Sequence, residues 1–414
     1  MGLLTRAGAP ILMTSKHDAA RLALASIGAA LALGASGAVF AQTSDPAAQI
    51  HRRVLTLDSH VDVLLPRTPP ATPQAGLSQL RAGGVDAVVL AVFAPTGPPT
   101  PEGYAAARTE ALAKLAAIKA LVRDNPQDAE LALSAADVPR IVGSGKIAVL
   151  VGFLNAYWLN GDVAGFDRLY ADGVRVAGLA HAGNNAFADS SRPQAGAGEP
   201  NGGLSEAGKA AVRRLNDLGV LVDVSQLTPK GVFQTLEISR VPVVATHSDV
   251  RALVDATRNL SDAEIDAIAR KGGVIQVTPF NAYLVPRPAG YDARLAALRQ
   301  QYGLPPGAGD QGLAALEPSR QAGFLDAYRA LYPRADLKQY VDHIDYIAKR
   351  VGVDHVGIGS DFNHGAGITG FADESEAPNL TRELVARGYT EAQIAQIWGG
   401  NFLRVLAAAE AARR

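Results

Sequence analysis

Residues 241–278 read VPVVATHSDVRALVDATRNLSDAEIDAIARKGGVIQVT, and their rhythm decides the fold. Val241 to Thr246 is an apolar, β-branched run expected as a buried strand, and it stops abruptly at the polar pair His247-Ser248. Ser261 then caps an expected helix over Asp262 to Arg270, and Gly273 to Thr278 begins another strand-like run. Strand, polar end, helix and strand make one βαβ unit, which requires a parallel sheet. Outward from this unit the pattern repeats. Strands are expected at Val54 to Asp58, Val85 to Phe93, Ile147 to Leu154, Val174 to Ala180, Val220 to Val224, Val241 to Thr246, Gly273 to Thr278 and His355 to Gly359. Helices lie between them, as at Glu206 to Leu218, where Ala207, Ala211, Leu215 and Leu218 share a face. Strands that are apolar throughout are covered on both faces, and eight such units predict an α/β fold closed into a (β/α)8 TIM barrel. A doubly wound open sheet is the competing arrangement.

The 414 residues do not force a split, because α/β barrels use 250 residues or more as one domain. A formal charge of −1, with no run of like charges, argues against nucleic acid or an anionic membrane as partner and favours a small molecule. With no cysteine there are no disulfides and no lipid-anchored Cys. Lys16 and Arg21 precede the apolar run Leu22 to Ala41, which ends Val39-Phe40-Ala41 with small residues where a signal peptidase cuts. Residues 1–41 are therefore expected to be a secretory signal peptide and 42–414 the mature, periplasmic or secreted domain, with no stable membrane span. An uncleaved anchor is the alternative, although the run is Ala- and Gly-rich and minimal in length. The segment Leu284 to Leu337 is a long insertion before the last strand, with Pro286, Pro288, Pro305 and Pro306 and an amphipathic helix expected around Ser319 to Leu331. A segment this long is expected to serve as a lid or as the contact of a homodimer.

Seven polar residues fall at or just beyond strand ends: His60 and Asp62, His181, Gln226, His247, Arg258 in the loop trailing it, and Asp361. In a barrel those ends converge on one face, where active sites are built. His60-Val61-Asp62 places two ligand types on the same side of an extended strand, so both can meet one ion; a structural hydrogen-bonded pair is the alternative. His247 ends a very apolar strand, either as a metal ligand or as a core histidine bonded to a carbonyl. Asp361 suits metal ligation, or proton transfer between water and a leaving amine, or an Asx-turn. Arg258 suits a bidentate carboxylate clamp or a surface ion pair. His181 suits hydrogen bonding to a substrate carbonyl and its oxyanion, or to a loop carbonyl. His343, His355 and His364 have weaker claims, and only the last is near the mouth.

Seven motifs in order carry a resemblance to a known family. They are Asp58-Ser-His-Val-Asp62, Leu179-Ala-His-Ala-Gly-Asn-Asn-Ala-Phe-Ala-Asp-Ser190, Gly203-Leu-Ser-Glu-Ala-Gly208, Arg258-Asn-Leu-Ser-Asp262, Val341-Asp-His-Ile-Asp345, Gly357-Ile-Gly-Ser-Asp-Phe362 and Gly399-Gly-Asn-Phe-Leu403. From about Leu57 to Leu406 the chain resembles the membrane (renal) dipeptidase family, peptidase family M19 of the amidohydrolase-type metal-dependent hydrolases. The resemblance implies dipeptide hydrolysis by a hydroxide held between two zinc ions. It assigns His60 and Asp62 to the first ion and His247 to the second, gives His181, Arg258 and Asp361 to substrate and proton handling, and puts Tyr283 at the pocket wall, where packing is an equal alternative. It also requires a bridging glutamate where this chain has Leu154, and a second histidine where it has Gln226. Leucine cannot bind zinc and a neutral amide binds it poorly. One Zn²⁺ is therefore expected, near His60 and Asp62 with Asp361 as a third ligand, beside a degraded second site. Three functions follow: a metallodipeptidase with a mononuclear site, a hydrolase of another small amide, lactone or ester bond, and a catalytically silent barrel that binds peptide-like ligands.

Overall fold

The computed structural model describes residues 45–65, 73–194, 196–305 and 316–414; the expected signal peptide, 1–41, lies outside them. Among the described residues there are nine parallel strands: β1 (Leu57–Asp62), β2 (Ala87–Phe93), β3 (Ala129–Leu131), β4 (Ile147–Leu154), β5 (Val174–Gly178), β6 (Leu221–Asp223), β7 (Val244–Ala245), β8 (Val274–Val277) and β9 (Val356–Ile358). Eight of them follow one another in the order β1-β2-β4-β5-β6-β7-β8-β9. The two ends of that path meet: Val61 bridges Phe362 in parallel, the Asp62 amide donates to the Phe362 carbonyl at 3.0 Å, and the Asp361 amide to the His60 carbonyl at 2.8 Å. The sheet is thus a barrel rather than a doubly wound sheet. The ninth strand, β3, was not expected. Its three residues pair only with the start of β4, before β5 takes over that edge at Val151, and so short a run carries no legible pattern.

Two strand boundaries correct the sequence reading, and both corrections arise from aspartate side chains that bond main-chain amides. The first strand was expected to end at Asp58 with His60 and Asp62 beyond it, but β1 runs to Asp62, past an irregularity between Asp58 and Val61. There Asp58 Oδ1 accepts from the amides of His60 (3.0 Å) and Ser360 (2.8 Å), so the carboxylate spans the gap in the ladder. The sixth expected strand, Val241 to Thr246, shrinks to Val244–Ala245. Pro242 has no N–H, and the Thr246 amide donates to Asp223 Oδ1 at 3.0 Å instead of to a neighbouring strand.

The barrel interior is packed toward the strand starts. Leu57, Ala87, Ala148, Leu221, Val244 and Val274 form one buried cluster with Phe402, Val405, Leu406 and Ala409 of the C-terminal helix Asn401–Ala411. That helix seals the N-terminal end and leaves the opposite end for chemistry. Gly359 shows how tight the upper layer is, since a Cβ there would lie 1.9 Å from the Thr246 carbonyl oxygen and 2.7 Å from Ser59 Oγ. The long insertion is not featureless. It contains helices Tyr291–Gln301 and Pro318–Arg329, with a small core of its own from Tyr291, Leu295, Leu298, Leu304 and Phe324. Among the described residues no helix is long and apolar enough to cross a membrane.

Candidate metal centre and active site

The strand ends deliver the expected residues to one place. His60 and Asp62 come from the end of β1, His181 and Gln226 lie three residues beyond β5 and β6, His247 two beyond β7, and Asp361 three beyond β9. His60 Nε2 stands 3.6 Å from Asp62 Oδ1 and 3.9 Å from Asp361 Oδ1, and all three side chains are buried. His60 Nε2 and Asp62 Oδ1 have no hydrogen-bond partner among the described residues. Buried polar atoms normally have partners, and donor atoms about 2.1 Å from one tetrahedral zinc lie roughly 3.4 Å apart. The three residues therefore fit a single cation. His60, Asp223 and His247 also approach one another closely, but the Thr246 hydroxyl sits among them, 3.3, 2.6 and 2.8 Å from His60 Nδ1, Asp223 Oδ2 and His247 Nδ1.

The electrostatics of this acidic side favour positive charge. Burial opposes the imidazolium of His60, yet Asp62 and Asp361 outweigh it and raise the pKa. Burial also disfavours charge on His364, but Asp62 Oδ2, accepting from its Nδ1 at 2.6 Å, and Asp361 lift it to about 9. For Asp62, burial is outweighed by His364 and His60, which hold its carboxyl well below the ordinary range. Burial pushes Asp361 the other way, up, against the pull of His364 and His60. Asp361 also has φ +56°, a costly conformation for a residue with a Cβ, tied down by its amide bond to His60.

The other side is organised by one amide. Gln226 Nε2 lies 3.0 Å from His247 Nε2. An amide nitrogen only donates, so His247 Nε2 accepts, and its proton sits on Nδ1 facing Thr246 Oγ1, which donates to Asp223 Oδ2. Burial, then the charges of His60 and Arg258, push His247 well below the usual imidazole pKa. Gln226 and Thr246 engage both ring nitrogens of His247, so the expected role as a metal ligand would require it to give up one of these bonds; with His60 and Asp223 it forms a group whose ligand atoms lie close enough to share an ion. Leu154 is buried at the end of β4 beside Gly178, where its Cδ1 fills the space a Cβ would take. It offers no donor atom. Neither Leu154 nor the neutral amide of Gln226 supplies a good ligand for a second ion there.

His181 is buried against Phe93, with ring centroids 4.2 Å apart, and its Nε2 faces Arg192 Nη2 at 3.2 Å. A guanidinium only donates, so His181 accepts, and burial followed by the Arg192 charge holds it well below its usual pKa. Arg258 is buried rather than in a surface ion pair. Its Nη2 donates to the His247 carbonyl at 2.8 Å, its Nε has no partner among the described residues, and its guanidinium lies 5.5 Å from the Tyr283 ring centroid. Burial lowers its pKa. Tyr283 in turn stacks on Phe280. Of the weaker histidines, His343 accepts from the Val250 amide and His355 bonds the Gly273 carbonyl oxygen, both structural contacts.

Three participants escaped the sequence reading: Arg192, Asp223 and Thr246; His364 was noted only for its place. Arg192 and His364 close, with the expected residues, a circuit around the mouth: Asp62, His60, His247, Gln226, Arg192, His181, His364 and back to Asp62. The His60 and His247 rings stack at 4.0 Å, Arg192 Nη2 donates to Gln226 Oε1 at 3.1 Å, and the His181 and His364 centroids are 5.1 Å apart. Asp223 stands one residue before the end of the expected strand Val220 to Val224 and could have been found from that. Nothing in the spacing of Arg192 foretells that its loop folds back over the pocket.

Known proteins are similar to this chain over much of its length. A solved structure of the probable dipeptidase PvdM from Pseudomonas aeruginosa is 40% identical, covers 89% of this chain and 98% of that one, and has a TM-score of 0.79. A metallopeptidase from Rhodobacter sphaeroides, liganded with a phosphinate mimic of L-Ala-D-Ala, shares the fold at 22% identity, with a TM-score of 0.68 over 86% of this chain and 99% of its own. Dipeptidase tcpJ of Claviceps purpurea is 30% identical over 278 residues, 67% of this chain and 54% of its own length. Dipeptidase aclJ of Aspergillus oryzae is 29% identical over 63% of this chain and 51% of its own. The chain thus spans about half the length of these curated relatives. The model of the membrane dipeptidase family matches residues 44–414, and the chain belongs to that family, peptidase family M19.

Proposed function

We propose that this protein is a metal-dependent hydrolase of dipeptides or closely similar small amides, working with one zinc ion held by His60, Asp62 and Asp361. The observation that carries the reading is the pair of buried, partnerless ligand atoms, His60 Nε2 and Asp62 Oδ1, 3.6 Å apart and beside Asp361. Relatives named as dipeptidases support the substrate class. When bound, zinc supplies a Lewis acid for the scissile carbonyl and lowers the pKa of water. Asp361, with one carboxylate oxygen toward the ion, takes the proton of the attacking water on the other and returns it to the leaving amine. Arg258, braced by Tyr283 and the His247 carbonyl, clamps the free carboxylate of the substrate with its unengaged Nε edge. His181, held neutral, lines the pocket between Phe93 and Arg192 and contacts the substrate amide. We further read residues 1–41 as an export signal that delivers the domain to the periplasm or medium, and the helical insertion as a lid or homodimer contact beside the mouth.

The test is hydrolysis of a dipeptide panel with added Zn²⁺, alongside metal analysis of the purified protein. The native protein is expected to bind one zinc and to turn over, and Asp361→Asn to lose about 10²-fold or more in rate. Two tightly bound zinc ions would overturn the one-ion reading. Native and Asp361→Asn proteins that are equally inert, while Leu154→Glu/Gln226→His turns over, would make the barrel a silent binder of peptide-like ligands. Turnover of lactones or esters alone would move the substrate class.

A further inference from the structure

The pocket has a cation that none of the expected site residues accounts for. Arg192 lies on the loop after β5, half-buried, and its Nη2 donates to both His181 Nε2 (3.2 Å) and Gln226 Oε1 (3.1 Å). Its Nε is buried with no acceptor among the described residues. A guanidinium N–H taken out of water without an acceptor is costly, and the neighbouring groups, a histidine and an amide, bring no anion to neutralise it. Along the circuit of side chains Arg192 stands three members away from the Asp62 carboxylate, on the far side with Gln226. The pocket is therefore polarised, with a cation-seeking side and a cation already built in.

Gln226 explains how the two halves are joined. A histidine at this position would bring a second imidazole and no carbonyl. A glutamine has a carbonyl that accepts from Arg192 and an NH₂ that donates to His247, so it couples a guanidinium to a neutral imidazole without any ion between them. Its backbone sits at φ +73°, a conformation residues with a Cβ rarely hold, which orients the amide between the two partners.

We infer that Arg192 carries out, with a fixed guanidinium, the charge role that a second ion would otherwise have in this pocket: held beside His181 and Gln226, its positive charge stabilises the oxygen that becomes negative when the scissile carbonyl is attacked. The inference rests on the reading of the site as a one-ion amide hydrolase. In the step, the water oxygen bonds to the carbonyl carbon and the carbonyl π pair moves to oxygen. The water proton goes to Asp361, and from it to the nitrogen as the C–N bond breaks with its pair leaving on nitrogen and the oxyanion pair re-forming the C=O bond. Arg192 gives up no proton.

The test has two arms. In the first, zinc stoichiometry and affinity are measured by calorimetry for the native protein, Arg192→Ala, the restored double variant Leu154→Glu/Gln226→His, and the double variant with Arg192→Ala added. Native protein and Arg192→Ala should bind one ion. The double variant should bind a second, and removing Arg192 should tighten that second ion by at least ~10-fold, since a fixed positive charge no longer opposes it. Equal second-ion affinity with and without Arg192 would overturn the inference. In the second arm, Arg192→Ala is expected to lower kcat by about 10²-fold, the scale of losing an oxyanion donor, with KM within a few-fold, and Arg192→Lys to recover part of it. Arg192→Gln, which keeps a donor for Gln226, guards against a loop that no longer folds and should show the same loss of kcat. A loss confined to KM, or no loss, would overturn the oxyanion role. Absence of any amide turnover in the native protein would sink the proposed function, while the zinc arm would still judge Arg192.

Discussion

Residue by residue, the site depends on which atoms of each side chain are left over. His60 and Asp62 each have one engaged and one partnerless ligand atom, whereas His247 has none to spare. The ligand types were legible at His60 and Asp62 because two residues of one strand end carry them. The loss of a ligand was equally legible at Leu154 and Gln226. What Gln226 does instead was not, because its partners Arg192 and His247 come from two other loops. For Arg258 the partnerless Nε leads to a direct expectation. Arg258→Ala should raise KM for dipeptides by about 10- to 100-fold, with a smaller effect on kcat. Dipeptides blocked as C-terminal amides should not feel the substitution, and equal sensitivity of free and amidated substrates would refute the clamp.

At the level of elements, aspartates standing in for missing strand partners decide where ligands emerge. Asp58 lets β1 run on through His60 to Asp62, and Asp223 ends β6 while tying the amides of Ser225 and Thr246. The strand order was readable from alternating apolar runs and helical stretches, but these register details depend on side-chain bonds to strands far away in sequence. Gly359 is the most exacting position of the closure. Gly359→Ala forces a methyl into the Thr246 carbonyl, so a loss of soluble folded protein, or a fall of several kcal/mol in chemical denaturation, is expected. A milder check lies on the helix Asp262–Arg270, where Ser261 and Glu264 form a reciprocal capping box. Ser261→Ala should cost about 1 kcal/mol and lower Tm by about 2 °C.

At the scale of the whole molecule, part of the pH dependence lies in buried groups outside the proposed ligand set. Burial pushes His343 down to about 3. A histidine depressed on folding contributes stability fully above its unfolded pKa, near 6.5, and loses it as pH falls from there toward 3. His343→Gln should therefore flatten acid unfolding in that window, by an amount on the order of a few kcal/mol. Glu374 behaves oppositely, since burial and then Asp58 raise it well above its ordinary value. Its share of stability is complete below its unfolded pKa and declines as pH rises, so Glu374→Gln should melt higher than native protein at pH 8 and show less slope. A thermal melt in which neither variant changes the profile would contradict both assignments. Zinc at 100 times its Kd should add about 2.7 kcal/mol to the native protein, and an Asp62→Ala protein should gain much less.

The sequence by itself determined a parallel sheet of eight apolar strands alternating with capped helices and predicted a barrel, while closure against the open-sheet alternative was decided by the contacts of Val61 with Phe362 and of Asp361 with His60. It also determined that polar residues at the strand ends converge, and that Leu154 and Gln226 cannot ligate as their family requires. Only the tertiary structure decided what replaced the missing ligands. Hydrogen bonding between Arg192, Gln226 and His247 depends on distances of about 3 Å between three separate loops, and no periodicity within one stretch of chain encodes such an approach.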